Sequence, residues 1–140
     1  MPNHYHILLK QIKDYGVVQF ISNLQNSFAK YYNLRNKRFG SVFQGPFKAK
    51  RIEKDNYLLH LSRYIHLNPV TSFLINIVDL DKYPWTSFPY YLAEKEDNND
   101  LINSSFITKM VGSRGKYEQF VYNQADYQRK LGKIKGLILE

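Results

Sequence analysis

The sequence predicts an α+β domain with a helical C-terminal region, and three observations lead there. Residues 4–9 alternate like a strand. Two later stretches repeat their apolar residues at helical spacing. Between them lies a β-friendly run broken by Gly45-Pro46.

In the first of these, alternation places His4 and His6 on one face and Tyr5, Ile7 and Leu9 on the other. The stretch from Asp14 to about Leu34 then predicts a helix. Val17, Phe20, Ile21, Leu24, Phe28 and Tyr31 or Tyr32 recur at its period, and Asp14 is a good N-cap. Gly40 closes a basic turn, and Phe43 to Ile52 predicts an extended segment with a turn or bulge at Gly45-Pro46. A second helix is expected from Asp55 as its cap, with Tyr57, Leu58, Leu61, Tyr64 and Ile65 as its apolar stripe. It should stop by Asn68, because Pro69 disfavours the helical conformation in the residue before it. Pro84 and Pro89 punctuate the stretch around Trp85. Two further helices are expected over 101–111 and about 116–131, with Tyr117, Phe120, Val121 and Tyr127 at near-helical spacing. The chain is thus expected to divide into a domain over 1–92, an acidic loop over 93–100 and a helical extension over 101–140.

Composition narrows the function. The 140 residues include no cysteine, which excludes disulfides and thiolate metal sites. No apolar run reaches the roughly 20 residues of a membrane span, and MPNHYHILLK does not read as a secretory leader. A cytoplasmic protein without a membrane partner is expected. Aromatics make up 16% of the chain, a proportion that suits stacking on planar ligands as well as a core. The net charge of +8 lies wholly in the first half: residues 1–70 hold 11 Lys/Arg against 3 Asp/Glu, and residues 71–140 hold 9 of each. From Lys30 to Lys54 only Glu53 opposes Lys30, Arg35, Lys37, Arg38, Lys48, Lys50, Arg51 and Lys54. Tyr31, Tyr32, Phe39, Phe43 and Phe47 interleave with them. This pattern fits phosphate contact with base stacking; a solvated basic surface with inward aromatics is the plainer alternative.

Two constellations carry chemistry. Imidazoles at i and i+2 on a strand point the same way, so His4 and His6 could share a metal ion, although such a pair is more often just a polar strand face. Tyr64 and Asn68, four residues apart, share a helix face. A phenol can attack phosphorus, but its pKa of about 10 makes it weak without help. A carboxamide oxygen can be a neutral metal ligand. The alternative is a half-buried core tyrosine above a helix cap.

Met1-Pro2-Asn3-His4-Tyr5-His6 with Ile7-Leu8-Leu9 resembles the HUH motif of the REP-associated tyrosine transposases. The resemblance continues through Phe39-Gly40-Ser41-Val42-Phe43-Gln44-Gly45 and Asp55-Asn56-Tyr57-Leu58-Leu59. It is strongest at Arg63-Tyr64-Ile65-His66-Leu67-Asn68-Pro69-Val70 and returns at Tyr83-Pro84-Trp85-Thr86-Ser87-Phe88. It covers about residues 1–92, in the family's order. It implies a ferredoxin-like antiparallel sheet with packed helices. It also implies a divalent metal, Mg²⁺ or Mn²⁺, held by His4, His6 and Asn68. His66 is the weaker candidate for third ligand, being about 200° around the helix from Tyr64. Tyr64 would attack a single-stranded DNA phosphate and form a 5′-phosphotyrosine, with Lys30, Arg35, Lys37, Arg38, Lys48, Lys50 and Arg51 holding single-stranded or hairpin DNA. Many relatives pair into homodimers and some act alone. A non-catalytic hairpin-binding descendant is the alternative function, and an unrelated RNA-binding protein is a more distant one.

Three features depart from the family. Relatives carry a strand and a helix before the His-x-His strand, whereas Met1 here directly precedes Pro2, so a sheet lacking its first strand is expected. Pro46 stands where relatives place an arginine. Thr71-Ser72-Phe73 replaces a basic or small-residue turn.

Overall fold

The computed structural model describes residues 3–93 and 101–124. Its elements are α1 (Gly16–Arg35), α2 (Asp55–Thr71), a 3-10 helix over Ile77–Lys82, α3 (Phe88–Leu92), α4 (Ser105–Val111) and α5 (Arg114–Tyr122). There is no strand among the described residues. The expected ferredoxin-like, transposase-like sheet is therefore corrected to a helical fold. Residues 4–10 belong to no regular element, and both Ile7 and Leu9 stay substantially exposed. Alternation marks which way side chains point, but a strand also needs a neighbour to take its N–H and C=O groups. The run from Phe43 to Ile52 likewise forms no strand, and Gly45 turns it with a φ of 74°. No helix among the described residues is long and apolar enough to cross a membrane. The acidic loop from Glu94 to Asp100, residues 125–131 of the last expected helix and Tyr127 lie outside the described residues.

The chain forms two compact units. One joins residues up to Ile7 to the chain from Ile52 onward, and the other is Leu8–Arg51. In the first, Leu67 and Val70 of α2, Leu80 of the 3-10 helix, Phe88 of α3, and Tyr117 and Val121 of α5 are wholly buried. Helix α5 packs on α2, α3 and α4, so this core is built largely from the second half of the sequence.

Helix α2 differs from expectation in two ways. It runs through Pro69 to Thr71 rather than stopping by Asn68. An interior proline costs roughly 3 kcal/mol. Full burial of Leu67 and Val70 returns about 1.5–3 kcal/mol each, which is enough to carry the helix on. It ends in a Schellman motif: the Leu74 N–H donates to Pro69 O (3.0 Å) and the Phe73 N–H to Val70 O (3.1 Å). Phe73 takes the left-handed position, φ 56°, usually given to glycine. Its buried face is also not the expected stripe. Ser62, Arg63, His66 and Leu67 are buried, while Tyr57 and Tyr64 are exposed. Asp55 is the first helical residue rather than the cap, where its charge complements the helix dipole.

In the second unit, α1 starts after Tyr15, which is left-handed at φ 57°, so Asp14 does not cap it. Ile21 is its only buried residue; Phe20, Leu24, Phe28, Tyr31 and Tyr32 remain exposed. With no sheet among the described residues to receive it, the apolar stripe stays at the surface.

Candidate active site

His4, His6, Tyr64 and Asn68 all belong to the same compact unit, although positions 6 and 64 are far apart in sequence. The rings of His4 and His6 meet edge to face, with centroids 5.1 Å apart. The Tyr64 ring stands 6.0 Å from that of His6, again edge to face. Tyr64 is 44% exposed, because α2 turns its opposite face inward. Tyr64 is thus half-exposed rather than part of the fully buried core.

The two imidazoles are prepared differently. His4 lies with Nδ1 2.7 Å from Asn3 Oδ1, and since an amide oxygen only accepts, Nδ1 is the donor in this contact. Partial burial, followed by the neighbouring His4, lowers the His6 pKa from its ordinary value. The 5.1 Å edge-to-face arrangement of His4 and His6 is an ordinary aromatic contact and brings the two rings side by side. Asn68 is one turn below Tyr64 and only 6% exposed, and its Nδ2 has no hydrogen-bond partner. An amide with an orphaned nitrogen is not fixed in one flip state by that atom, and its oxygen can serve as a donor to an ion. Imidazoles with a carboxamide suit Mn²⁺ better than Mg²⁺. Among the described residues no group of three or more His, Cys, Asp or Glu side chains is arranged to hold a metal.

His66, the weaker ligand candidate, belongs to the core instead. Its Nε2 is 2.9 Å from Ser87 Oγ and its Nδ1 is 2.9 Å from the Tyr117 hydroxyl. That hydroxyl donates to Ser62 Oγ at 3.0 Å, and Ser62 donates to the Leu59 carbonyl at 2.8 Å. With the Tyr117 proton so used, His66 donates from Nδ1 and accepts from Ser87 at Nε2. Every member of the chain is satisfied by a neutral imidazole. Burial pushes the His66 pKa down to about 3 and that of Tyr117 well above its ordinary value. Ser62 and His66, spaced i and i+4, are the available sequence signal. Hydropathy assigns both to the solvent side, which is why the pattern misplaces the buried face.

Beside this chain Arg63 lies under the Phe120 ring, 4.1 Å from its centroid, and donates to the Phe120 carbonyl at 3.3 Å. Arg114 reaches the Tyr90 and Tyr91 carbonyls at the end of α3 (3.2 and 3.1 Å), where a cation is favoured.

The basic candidates Lys30, Arg35, Lys37, Arg38, Lys48, Lys50 and Arg51 all lie in the Leu8–Arg51 unit, and all are exposed. That unit holds nine Lys/Arg against Asp14 alone, so the whole net charge of +8 resides in it. Arg35 hydrogen-bonds the Tyr31 hydroxyl and stands 5.8 Å from that ring's centroid. Arg38 stands 5.5 Å from the centroid of Tyr32. Phe28 stacks on Tyr32 at 5.9 Å and 24°. Comparison with protein-family models, curated proteins and solved structures finds no match to this chain.

Proposed function

We propose that this chain acts on single-stranded DNA as a transposase-like nuclease and strand transferase, with Tyr64 as nucleophile. The observation that carries this reading is the convergence of His4, His6 and exposed Tyr64 from distant parts of the sequence. The ordered motifs that resemble the REP-associated tyrosine transposases support it. The fold does not, because the sheet of that family is absent among the described residues. Attack by the Tyr64 oxygen on phosphorus breaks the bond to the 3′ oxygen, leaving a 5′-phosphotyrosine and a free 3′-hydroxyl. The phenol gives up its proton as it attacks, and the leaving oxygen takes one up. A divalent ion would supply charge neutralisation at the phosphate. His4 and His6 would hold it by ring nitrogens, Asn68 by its amide oxygen. Reversal with another 3′-hydroxyl rejoins strands without an external energy source.

The test is incubation with labelled hairpin DNA and Mn²⁺, read on a denaturing protein gel. A labelled protein band that needs metal and is lost in Tyr64→Phe is expected. Binding without any such band would favour the second reading, a hairpin-binding module without cleavage. That reading has its own support, since the basic charge and the exposed aromatics of Leu8–Arg51 need no intact catalytic site.

A further inference from the structure

The turn after α1 is built to display one aromatic ring. Asn36 caps the helix, Lys37 adopts the left-handed conformation at φ 49°, and the Arg38 N–H donates back to Asn33 O at 3.0 Å. Side chains pin the residues on either side of the ring. Asn33 Nδ2 donates to Gly40 O at 2.9 Å, Asn36 Nδ2 to Tyr32 O at 2.8 Å, and Arg38 Nη2 to Ser41 O at 3.2 Å. Phe39 sits within this hydrogen-bonded turn and is 96% exposed. A phenyl ring left in water on a loop held by four such bonds is not explained by packing within the unit.

We propose that Phe39 stacks on an unpaired base of single-stranded nucleic acid, with Lys37 beside it for the phosphate backbone. The proposal rests on the nucleic-acid part of the proposed function and not on the Tyr64 chemistry. Charge complementarity selects the occupant. The unit carries the protein's entire +8, and Lys37 and Arg38 immediately precede the ring. Arg38 over Tyr32 and Arg35 over Tyr31 add planar cationic groups, each suited to a base or a neighbouring phosphate. A membrane surface would want several apolar side chains at the tip. Here Phe39 is flanked by Asn36, Lys37, Arg38, Gly40 and Ser41. A base in a duplex has its faces covered by its neighbours, so stacking of this kind selects unpaired strands or hairpin loops.

The experiment is fluorescence anisotropy of a labelled 20-nucleotide strand and of the matching duplex, titrated with the full chain across salt concentrations. Phe39→Ala is expected to weaken single-strand binding about tenfold, within the range that removing one base–aromatic stack gives. Duplex binding and the slope of affinity against salt should not change, since no charge is removed. Phe39→Trp should restore the affinity. The exposure of residue 39 makes misfolding no explanation for a loss, and circular dichroism checks this. Equal binding by Phe39→Ala and the parent would overturn the proposal, as would equal weakening on the duplex. Phe39-dependent capture by anionic vesicles or Phe39-dependent self-association, without single-strand binding, would also overturn it. The covalent-adduct assay separates the two proposals. An adduct with no Phe39 effect removes the stacking alone, and a Phe39 effect with no adduct removes the transferase alone.

Discussion

The Tyr117 hydroxyl lies 2.9 Å from His66 Nδ1 and joins α5 to α2 through a buried imidazole. The contact sets more than a hydrogen bond. It fixes the imidazole's tautomer and orients the face of α2 that turns inward, so that Tyr64, on the other side, turns out. Removal of that hydroxyl leaves the His66 N–H without its acceptor and Ser62 without its donor. Tyr117→Phe is expected to lower stability by about 1–3 kcal/mol, the usual cost of an orphaned buried polar group. Urea denaturation of the two proteins measures it, and an unchanged midpoint would mean that the network adds nothing to stability.

The same imidazole gives the fold an acid sensitivity. His66 in the folded chain has a pKa of about 3, against about 6.5 when unfolded. Its folded pKa is depressed, so its contribution is fully present above the unfolded value. As pH falls below about 6.5 the unfolded chain takes up a proton that the folded chain refuses. Stability should then fall by about 1.4 kcal/mol per pH unit until the folded pKa is reached. Denaturation midpoints taken from neutral pH down to about pH 5 show this slope. His66→Gln should flatten it whatever its own stability, and a slope retained in that variant would place the sensitivity elsewhere.

At the end of α2, Phe73 occupies a left-handed position that costs an L-residue roughly 1–2 kcal/mol. Phe73→Gly relieves that strain at the cost of some unfolded-state entropy and of the ring's own contacts. A net gain of about 0.5 kcal/mol or more is expected. Thermal melting decides it; a lower melting temperature would mean that the ring's contacts outweigh the backbone strain.

For the proposed chemistry, Tyr64→Phe should abolish the metal-dependent adduct and leave the fold intact, since the lost hydroxyl is on a residue nearly half exposed. Substitution of His4 or His6 by Gln should raise the Mn²⁺ concentration needed for adduct formation about tenfold or more. An adduct formed equally well without either imidazole would exclude both as ligands.

Helices are the most legible part of this sequence, because apolar residues at a 3.6-residue period report local geometry. Gly16–Arg35 and Asp55–Thr71 lie within a few residues of the expected spans. The inward face is less legible. Ser62 and His66 count as polar until Tyr117, far along the chain, supplies the partner that lets them be buried. Whether a sheet forms is not legible at all, since the alternation of residues 4–9 carries no information on whether a second strand pairs with it. The candidate site is legible as a set of residues through motif order. Its exposure and the His6–Tyr64 contact come only from the structure.

The unit that carries His6 and Tyr64 is interrupted by the whole of Leu8–Arg51. During synthesis both imidazoles leave the ribosome long before the tyrosine does, and they must wait for the intervening loop to close. Such closure loses entropy that grows only slowly with loop length. It nonetheless sets an order: the helices can form from nearby residues, while the cluster of His4, His6 and Tyr64 needs distant segments to meet. Residues 4–7 also bury neither face. Amide exchange there should be fast while the core around Leu67 stays protected, so the site can come apart and reassemble without the fold being lost.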